Sequence, residues 1–183
     1  MGSKPPKPWA VTGLATVARL AFAAVLLPYF LMTAATEFGG TPYSVGPNMP
    51  GTLLSLGAFY QWAPWMVTDI GRGTNNLSIL ASMFLHLMVF SECVLPVLLV
   101  VGLATRTAAA GLMLLIAFTT LIDIFAHNAP AEIIGAWFDA NPFDEIADLR
   151  LLWAMLIAIP LTLGGGPLSL DGLIARWHRS AAG

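Results

Sequence analysis

Long apolar segments separated by short polar ones dominate the chain, and they predict helices that cross a membrane. The segments cover about residues 9–36, 77–102, 106–126 and 147–163. A helix needs roughly 20 apolar residues to cross the hydrocarbon core, and the first three segments reach that length. The fourth is shorter. We therefore predict an all-α integral membrane protein, a four-helix bundle that forms a single domain over residues 1–183.

Composition supports a membrane protein and excludes several function classes. Hydrophobic residues make up 57% of the chain and charged residues 10%, whereas soluble domains carry roughly 25% charged residues. The formal net charge of -2 comes without a basic stripe, which argues against nucleic acid as a partner. The single cysteine, Cys93, excludes an internal disulfide and a two-thiol redox centre. The expected partners are the lipid bilayer and other membrane protein subunits.

The distribution of basic residues predicts the orientation. If both termini and the turn before Arg106 share one side, most of the basic residues lie there and most of the acidic residues lie opposite. This is the positive-inside pattern, which places both termini in the cytoplasm. The basic residues on that side are Lys4, Lys7, Arg106, Arg176 and Arg179, and those opposite are Arg72 and Arg150.

Two outer connections are rich in aromatic residues. Because Trp and Tyr favour the headgroup level, we expect both connections to lie along the outer interface of the membrane. A lid over the mouth of the bundle is the alternative. A fifth span through residues 52–70 is disfavoured because Gln61, Pro64 and Asp69 interrupt it. The aromatic residues are Phe59, Tyr60, Trp62 and Trp65 in the first connection, and Trp137, Phe138 and Phe143 in the second.

Ionisable residues inside the apolar segments are candidates for chemistry, because they are costly there unless partnered. A helix rises about 1.5 Å per residue, so folding the second and third spans about Ala104 brings His86 level with Asp123. We predict that this pair handles protons, with His127, Asp148 and Arg150 as neighbours near the outer surface. Such a cluster suits proton-coupled reduction of a quinone, placed near Trp62, Trp65 and His86. The alternative is structural: Asp123 binds His86 to join two helices.

Arg19 and Glu92 form a second expected pair. Each lies about ten residues from the cytoplasmic end of its span, and pairing is the least costly way to keep both charged at depth. A structural ion pair is favoured over a proton relay. No metal-ligand spacing is present. Haem is not expected, because His86 and His127 differ in height, and no motif for a covalently bound cofactor appears.

Three segments together resemble the DoxX family of four-span bacterial membrane proteins. They are Arg19 in the first span, Glu92 followed by the turn Gly102-Leu103-Ala104-Thr105-Arg106, and the closing run Gly165-Gly166-Pro167-Leu168-Ser169-Leu170-Asp171. The family-matching positions are therefore Arg19, Glu92, Gly102, Arg106, Pro167, Ser169 and Asp171. The chain departs from the family at Tyr29 and Thr33, where relatives commonly have Gly and Lys.

The resemblance implies a protein of the bacterial inner membrane that accompanies redox enzymes. We expect an accessory or quinone-bordering subunit of a membrane redox complex, with its electron donor on another subunit. The alternative is a structural or assembly subunit without chemistry. Whether the chain is itself an enzyme stays open at this point. Transport of a small solute is less favoured, because four short spans leave little room for a gated path.

Overall fold

A computed structural model of the protein describes residues 8–38, 54–65 and 79–181. In these ranges the chain is helical, apart from turns and an isolated bridge between Phe38 and Leu54. Lys4, Lys7, Asp69 and Arg72, which enter the topology argument, lie outside the described residues, as do residues 77–78. The helices are α1 (Pro8–Glu37), α2 (Leu56–Trp62), α3 (Ile79–Val101), α4 (Thr105–Phe125), α5 (Ala131–Ile134), α6 (Ala147–Leu163) and α7 (Leu170–Ala181).

Three helices are long and apolar enough to cross a membrane: Gly13–Glu37 within α1, Met83–Val101 within α3, and α4. The fourth predicted segment forms α6, which has only 17 residues. Large apolar side chains cover the outer faces of all four helices. Met32 is 73% exposed, Leu80 78%, Leu114 73% and Met155 61%. Exposed apolar surface on this scale marks a face suited to contact with lipid or with another protein.

The four long helices pack side by side in a ring. The helix α1 contacts α3 and α6, and α4 contacts the same two neighbours from the other side. Apolar side chains fill the interior of the ring because they recur along the inward face of each helix. Among the buried residues are Phe22 and Leu26 of α1, Leu99 of α3, Leu112 of α4 and Ile157 of α6.

The first aromatic connection differs from its prediction. It contains the short helix α2, which packs against α1, α3 and α4. Phe59 and Trp62 are 1% and 0% exposed, so they lie in the protein core and not among lipid headgroups. The interfacial expectation is therefore wrong for these two residues, because the ring of long helices leaves an apolar opening that α2 fills. Tyr60 and Trp65 remain exposed.

Candidate functional site

A cavity of about 360 Å³ lies inside the ring, between the core and α2. Its wall extends along α4 from Leu115 to His127, a rise of roughly 18 Å. The cavity therefore reaches from the middle of the helices to their α5 end. Its polar wall residues are Tyr29, Tyr60, Gln61, Glu92, Thr119, Asp123, His127 and Arg150, and its apolar ones are Phe30, Leu115, Ile116 and Trp153.

Two buried carboxyl groups meet beside the inner part of this cavity. Glu37, at the end of α1, is 1% exposed, and Glu92 of α3 is 2% exposed. The two carboxyl groups are close enough to interact directly. The helix α2 holds both: the Trp62 indole N–H donates to Glu37 Oε1 at 2.7 Å, and the Gln61 amide donates to Glu92 Oε2 at 3.3 Å.

The chemistry of this carboxyl pair requires a proton. Oε2 of Glu37 is buried and has no donor among the described residues. Two carboxylates at close range in a water-poor interior cannot both ionise. A proton on Glu92 removes one charge and supplies the donor that Glu37 Oε2 lacks. Glu92 also lines the cavity, so its carboxyl group lies next to the space where a ligand would bind.

A second polar group lies at the α5 end of the cavity. Arg150 of α6 forms an ion pair with Asp123 of α4 and donates to the Thr120 hydroxyl at 2.8 Å. His127 lies one turn beyond Asp123, with its ring 4.9 Å from the ring of Tyr60. The structure thus brings together three predicted residues, Asp123, His127 and Arg150, around one opening.

The remaining predicted residues lie elsewhere. Asp123 was predicted to pair with His86, and in the structure it forms an ion pair with Arg150. His86 is not part of the cavity wall. Asp148 is also outside the wall, and its Oδ2 is buried without a donor among the described residues. Trp62 is 0% exposed, its indole packs on Phe118, and it is not part of the cavity wall. The expected ligand position near Trp62, Trp65 and His86 stays a prediction.

The predicted ion pair between Arg19 and Glu92 is also wrong. The Arg19 guanidinium donates to backbone carbonyls instead: Nε to Leu99 at 2.9 Å, and Nη2 to Val100. Its Nη1 donates to Gly165 at 2.6 Å and to Leu168 at 3.2 Å. Glu92 lies seven residues before Leu99, or roughly 10 Å along α3, which is beyond the reach of these contacts. Because Arg19 binds carbonyls at the end of α3, it lies nearer to that end than Glu92 does, so the sequence argument placed Arg19 too deep.

Arg19 therefore acts as a cap for the end of α3. The last carbonyls of a helix have no partner within that helix and attract positive charge. Leu99 and Val100 supply two such carbonyls. The guanidinium also holds the segment after α6 through Gly165 and Leu168. One buried arginine thus joins α1, α3 and the C-terminal part of the chain.

Asp171 caps the next helix from the same cluster. Its carboxylate accepts hydrogen bonds from the N–H groups of Ala104 and Thr105, both at 2.8 Å, and from the Thr105 hydroxyl at 2.7 Å. Burial of the Asp171 carboxyl disfavours its ionised form. The hydrogen bonds from Thr105 and Ala104, with the charge of Arg19, outweigh that effect and lower the pKa of Asp171. The Asp171 N–H also donates to the Gly102 carbonyl at 2.9 Å.

Two glycines make this cluster possible. Gly102 has φ of +76°, and a Cβ there would lie 2.5 Å from Cβ of Ser169 and 2.7 Å from Cζ of Arg19. A Cβ on Gly165 would lie 2.6 Å from both Ser169 Cβ and Thr105 Oγ1. We call Arg19, Gly102, Thr105, Gly165, Ser169 and Asp171 the capping cluster. Nearby, Arg106 donates to the Thr162 carbonyl at 3.1 Å and Arg176 to the Pro167 carbonyl at 2.9 Å.

Sequence reasoning missed Glu37, Gln61 and Tyr29 as site residues. Glu37 counts only as an outer charge in the topology argument, and Gln61 only as an interruption of a possible span. The available signal was the position of Glu37 immediately after an unbroken apolar run, where an acidic residue is expensive unless partnered. Its partners come from α2, whose burial the local sequence does not reveal.

In the part of the chain that the structure describes, the fold is all-helical, with three helices long and apolar enough to span a membrane. Among the described residues, no group of three His, Cys, Asp or Glu side chains is placed to hold a metal ion. Comparison with protein-family models, curated proteins and solved structures returns no match to this chain.

Proposed function

We propose that the chain is a DoxX-like subunit of a bacterial inner-membrane redox complex and that its cavity holds the head group of a quinone. The observation that carries the proposal is the buried carboxyl pair of Glu37 and Glu92 beside a partly aromatic cavity. Conversion of a quinone to a quinol takes up two electrons and two protons. A buried, protonated carboxyl is suited to donate to a carbonyl oxygen.

Each wall residue has a role in this proposal. Glu92 donates a proton to one carbonyl oxygen of the ring, and the Gln61 amide orients the Glu92 carboxyl. The other carbonyl oxygen takes the second proton from water in the cavity. Trp153 and Tyr29, whose rings are 5.0 Å apart, offer flat apolar surface to a planar ligand. The electrons come from a one-electron carrier, a haem or an iron–sulfur centre, on a partner subunit.

The same proposal includes the topology. In this proposal α6 is the fourth span, and both termini are cytoplasmic. Because α6 has only 17 residues, it crosses the membrane nearly parallel to the membrane normal. The contact of Asp171 with Ala104 supports this orientation, because it places Arg106, Arg176 and Arg179 at one end of the molecule. The acidic residues Glu132, Asp139 and Glu145 lie near α5 at the other end. This separation agrees with the positive-inside rule.

A pair of tryptophan substitutions tests quinone binding. Leu115 is 5% exposed and lines the cavity, whereas its neighbour Leu114 is 73% exposed and faces outward. Leu115→Trp fills the cavity and should abolish quenching of intrinsic fluorescence by a short-chain ubiquinone analogue in lipid nanodiscs. Leu114→Trp is the matched control and should retain it. Equal binding by both variants, or no binding by the wild type, would contradict the proposal.

A variant of the proton donor tests the chemistry separately. Glu92→Gln keeps the size of the side chain but cannot donate a carboxyl proton. We expect it to bind the quinone analogue and to slow quinone reduction by the intact complex. Glu132→Gln, at an exposed residue of α5, is the control and should leave turnover unchanged. Wild-type turnover in Glu92→Gln would remove the assigned role.

A structural or assembly subunit is the second candidate, and one observation favours it. Five of the family-matching residues, Arg19, Gly102, Pro167, Ser169 and Asp171, lie in or beside the capping cluster and not in the cavity wall. If the wild type fails to bind a quinone while Arg19→Met prevents assembly of the complex, this alternative gains support.

A further inference from the structure

We infer that, within the part of the chain that the structure describes, water and protons reach the Glu37–Glu92 pair from the α5 side only, through an opening bounded by Asp123, His127 and Arg150. The inference deepens the proposed function and rests on its membrane-spanning arrangement, but it does not depend on which ligand the cavity binds. It concerns the route by which Glu92 regains a proton after donating one.

A second cavity continues the first toward the α5 side. It has a volume of about 320 Å³ and shares Asp123, His127 and Arg150 with the cavity described above. The outer part of this cavity is formed by three residues that are exposed at the surface, Pro130, Ile133 and Glu145. Because the two cavities share Asp123, His127 and Arg150 as wall residues, we place the passage from the surface to Glu92 through both of them.

Polar groups follow this passage along its length. From the surface inward they are Glu145, His127, the Asp123–Arg150 ion pair, Thr119 and Glu92 with Gln61. Tyr29 and Tyr60 add hydroxyl groups to the same wall. Water needs two to four polar partners to occupy a cavity, and this wall supplies them.

The opposite end is closed by tight packing. The buried side chains that lie between the carboxyl pair and the capping cluster are apolar, and they include Phe22, Leu99, Leu112 and Ile157, all at most 1% exposed. Below them, a Cβ on Gly102 or Gly165 would lie within 2.7 Å of neighbouring side chains. The capping cluster is polar and borders a cavity of about 420 Å³. Among the described residues, the apolar layer above it offers no chain of polar groups to a proton.

Cysteine accessibility tests the sidedness directly. In a Cys93→Ser background, Thr119→Cys places a thiol in the cavity wall, and Ala109→Cys places one in the closed layer, where Ala109 is 0% exposed. Ser180→Cys, on exposed α7, marks the other side of the membrane. A membrane-impermeant methanethiosulfonate is then applied to right-side-out and inside-out vesicles.

We expect Thr119→Cys to react from the side opposite to the one that labels Ser180→Cys, by more than about tenfold over the reverse direction. Ala109→Cys should react from neither side. Tyr60→Cys, at the mouth, should share the sidedness of Thr119→Cys and provides a second reading if Thr119→Cys folds poorly. Labelling of Thr119→Cys from the Ser180 side, or from neither side while Tyr60→Cys reacts, overturns the inference. Because labelling needs no quinone, this result is independent of the binding experiment.

Discussion

The capping role of Arg19 leads to a quantitative prediction about its independence from Glu92. Arg19→Met keeps an apolar stem of similar length but removes the donors to Leu99, Val100, Gly165 and Leu168. Each hydrogen bond to a charged group contributes about 1.5–3 kcal/mol, and the desolvation of a 5% exposed guanidinium offsets part of the sum. We expect a net loss of about 3–5 kcal/mol of unfolding free energy, as for other broken buried charge networks.

Glu92→Gln and the double variant complete a double-mutant cycle with Arg19→Met. The decisive quantity is the coupling free energy, the part of the stability loss in the double variant that the two single losses do not account for. Residues without shared partners combine additively to within about 0.5 kcal/mol, whereas residues in one ion pair couple by about 1–3 kcal/mol. Arg19 binds carbonyls at the end of α3, and Glu92 binds Gln61 and faces Glu37. They share no partner, so we expect coupling below about 0.5 kcal/mol.

The assay compares the wild type, the two single variants and the double variant. Each is unfolded in mixed detergent micelles by titration with sodium dodecyl sulfate, and unfolding is followed by far-UV circular dichroism. Arg179→Met serves as the control, since Arg179 is exposed and donates only to Ala175 of its own helix. It should change stability by less than about 0.5 kcal/mol. A coupling free energy above about 1 kcal/mol would show that Arg19 and Glu92 interact directly. A loss of unfolding free energy below about 1 kcal/mol in Arg19→Met would refute the capping argument.

Three further predictions concern the cytoplasmic end proposed above. Gly102→Ala should cost about 2–4 kcal/mol, because it combines a left-handed φ with a contact of 2.5 Å, while Gly13→Ala, with open space around it, should be neutral or stabilising when measured by the same titration. Asp171→Asn should lower the melting temperature at pH 7. Because the folded-state pKa of Asp171 is below its ordinary value of 3.8, the carboxylate contribution is complete above that value and disappears as the pH falls through the folded pKa. The melting temperatures of wild type and variant should therefore converge below about pH 4 and stay apart at higher pH; a gap independent of pH would contradict this assignment. The apolar face of α7, formed by Leu170, Leu173, Ile174 and Trp177, should lie in an anionic membrane surface with Arg176 and Arg179 at the headgroups. Brominated anionic lipid should quench a fluorescence component that Trp177→Phe lacks, and neutralising both arginines should weaken this quenching; equal quenching in all three proteins would exclude the surface position.

The helices were predictable because the apolar segments are long and their ends carry clear signals. The turn around Gly102 separates α3 from α4 as expected, and α1, α3, α4 and α6 coincide with the predicted segments to within one helical turn. Helix rise alone was enough to bring Asp123, His127 and Arg150 to one level. These features depend on local sequence and on simple geometry.

Depth and tertiary contacts were not predictable to the same degree. The depth of Arg19 was estimated by counting residues from the start of the first span. The estimate needed that start to within one helical turn, and the sequence does not mark it sharply. Burial of Trp62 depends on an opening that exists only after the long helices have packed. The role of Glu37 follows from Trp62, so it was hidden for the same reason.

The capping cluster also determines how late in synthesis the fold can be completed. Arg19 enters the bilayer with the first helix, yet two of its acceptors, Gly165 and Leu168, are synthesised almost 150 residues later. Asp171, which completes the turn between α3 and α4, follows those acceptors. Until this segment has been synthesised, Arg19 lacks two of its acceptors, and the N–H groups of Ala104 and Thr105 lack the Asp171 carboxylate. The capping cluster can therefore be completed only after the four long helices have been made.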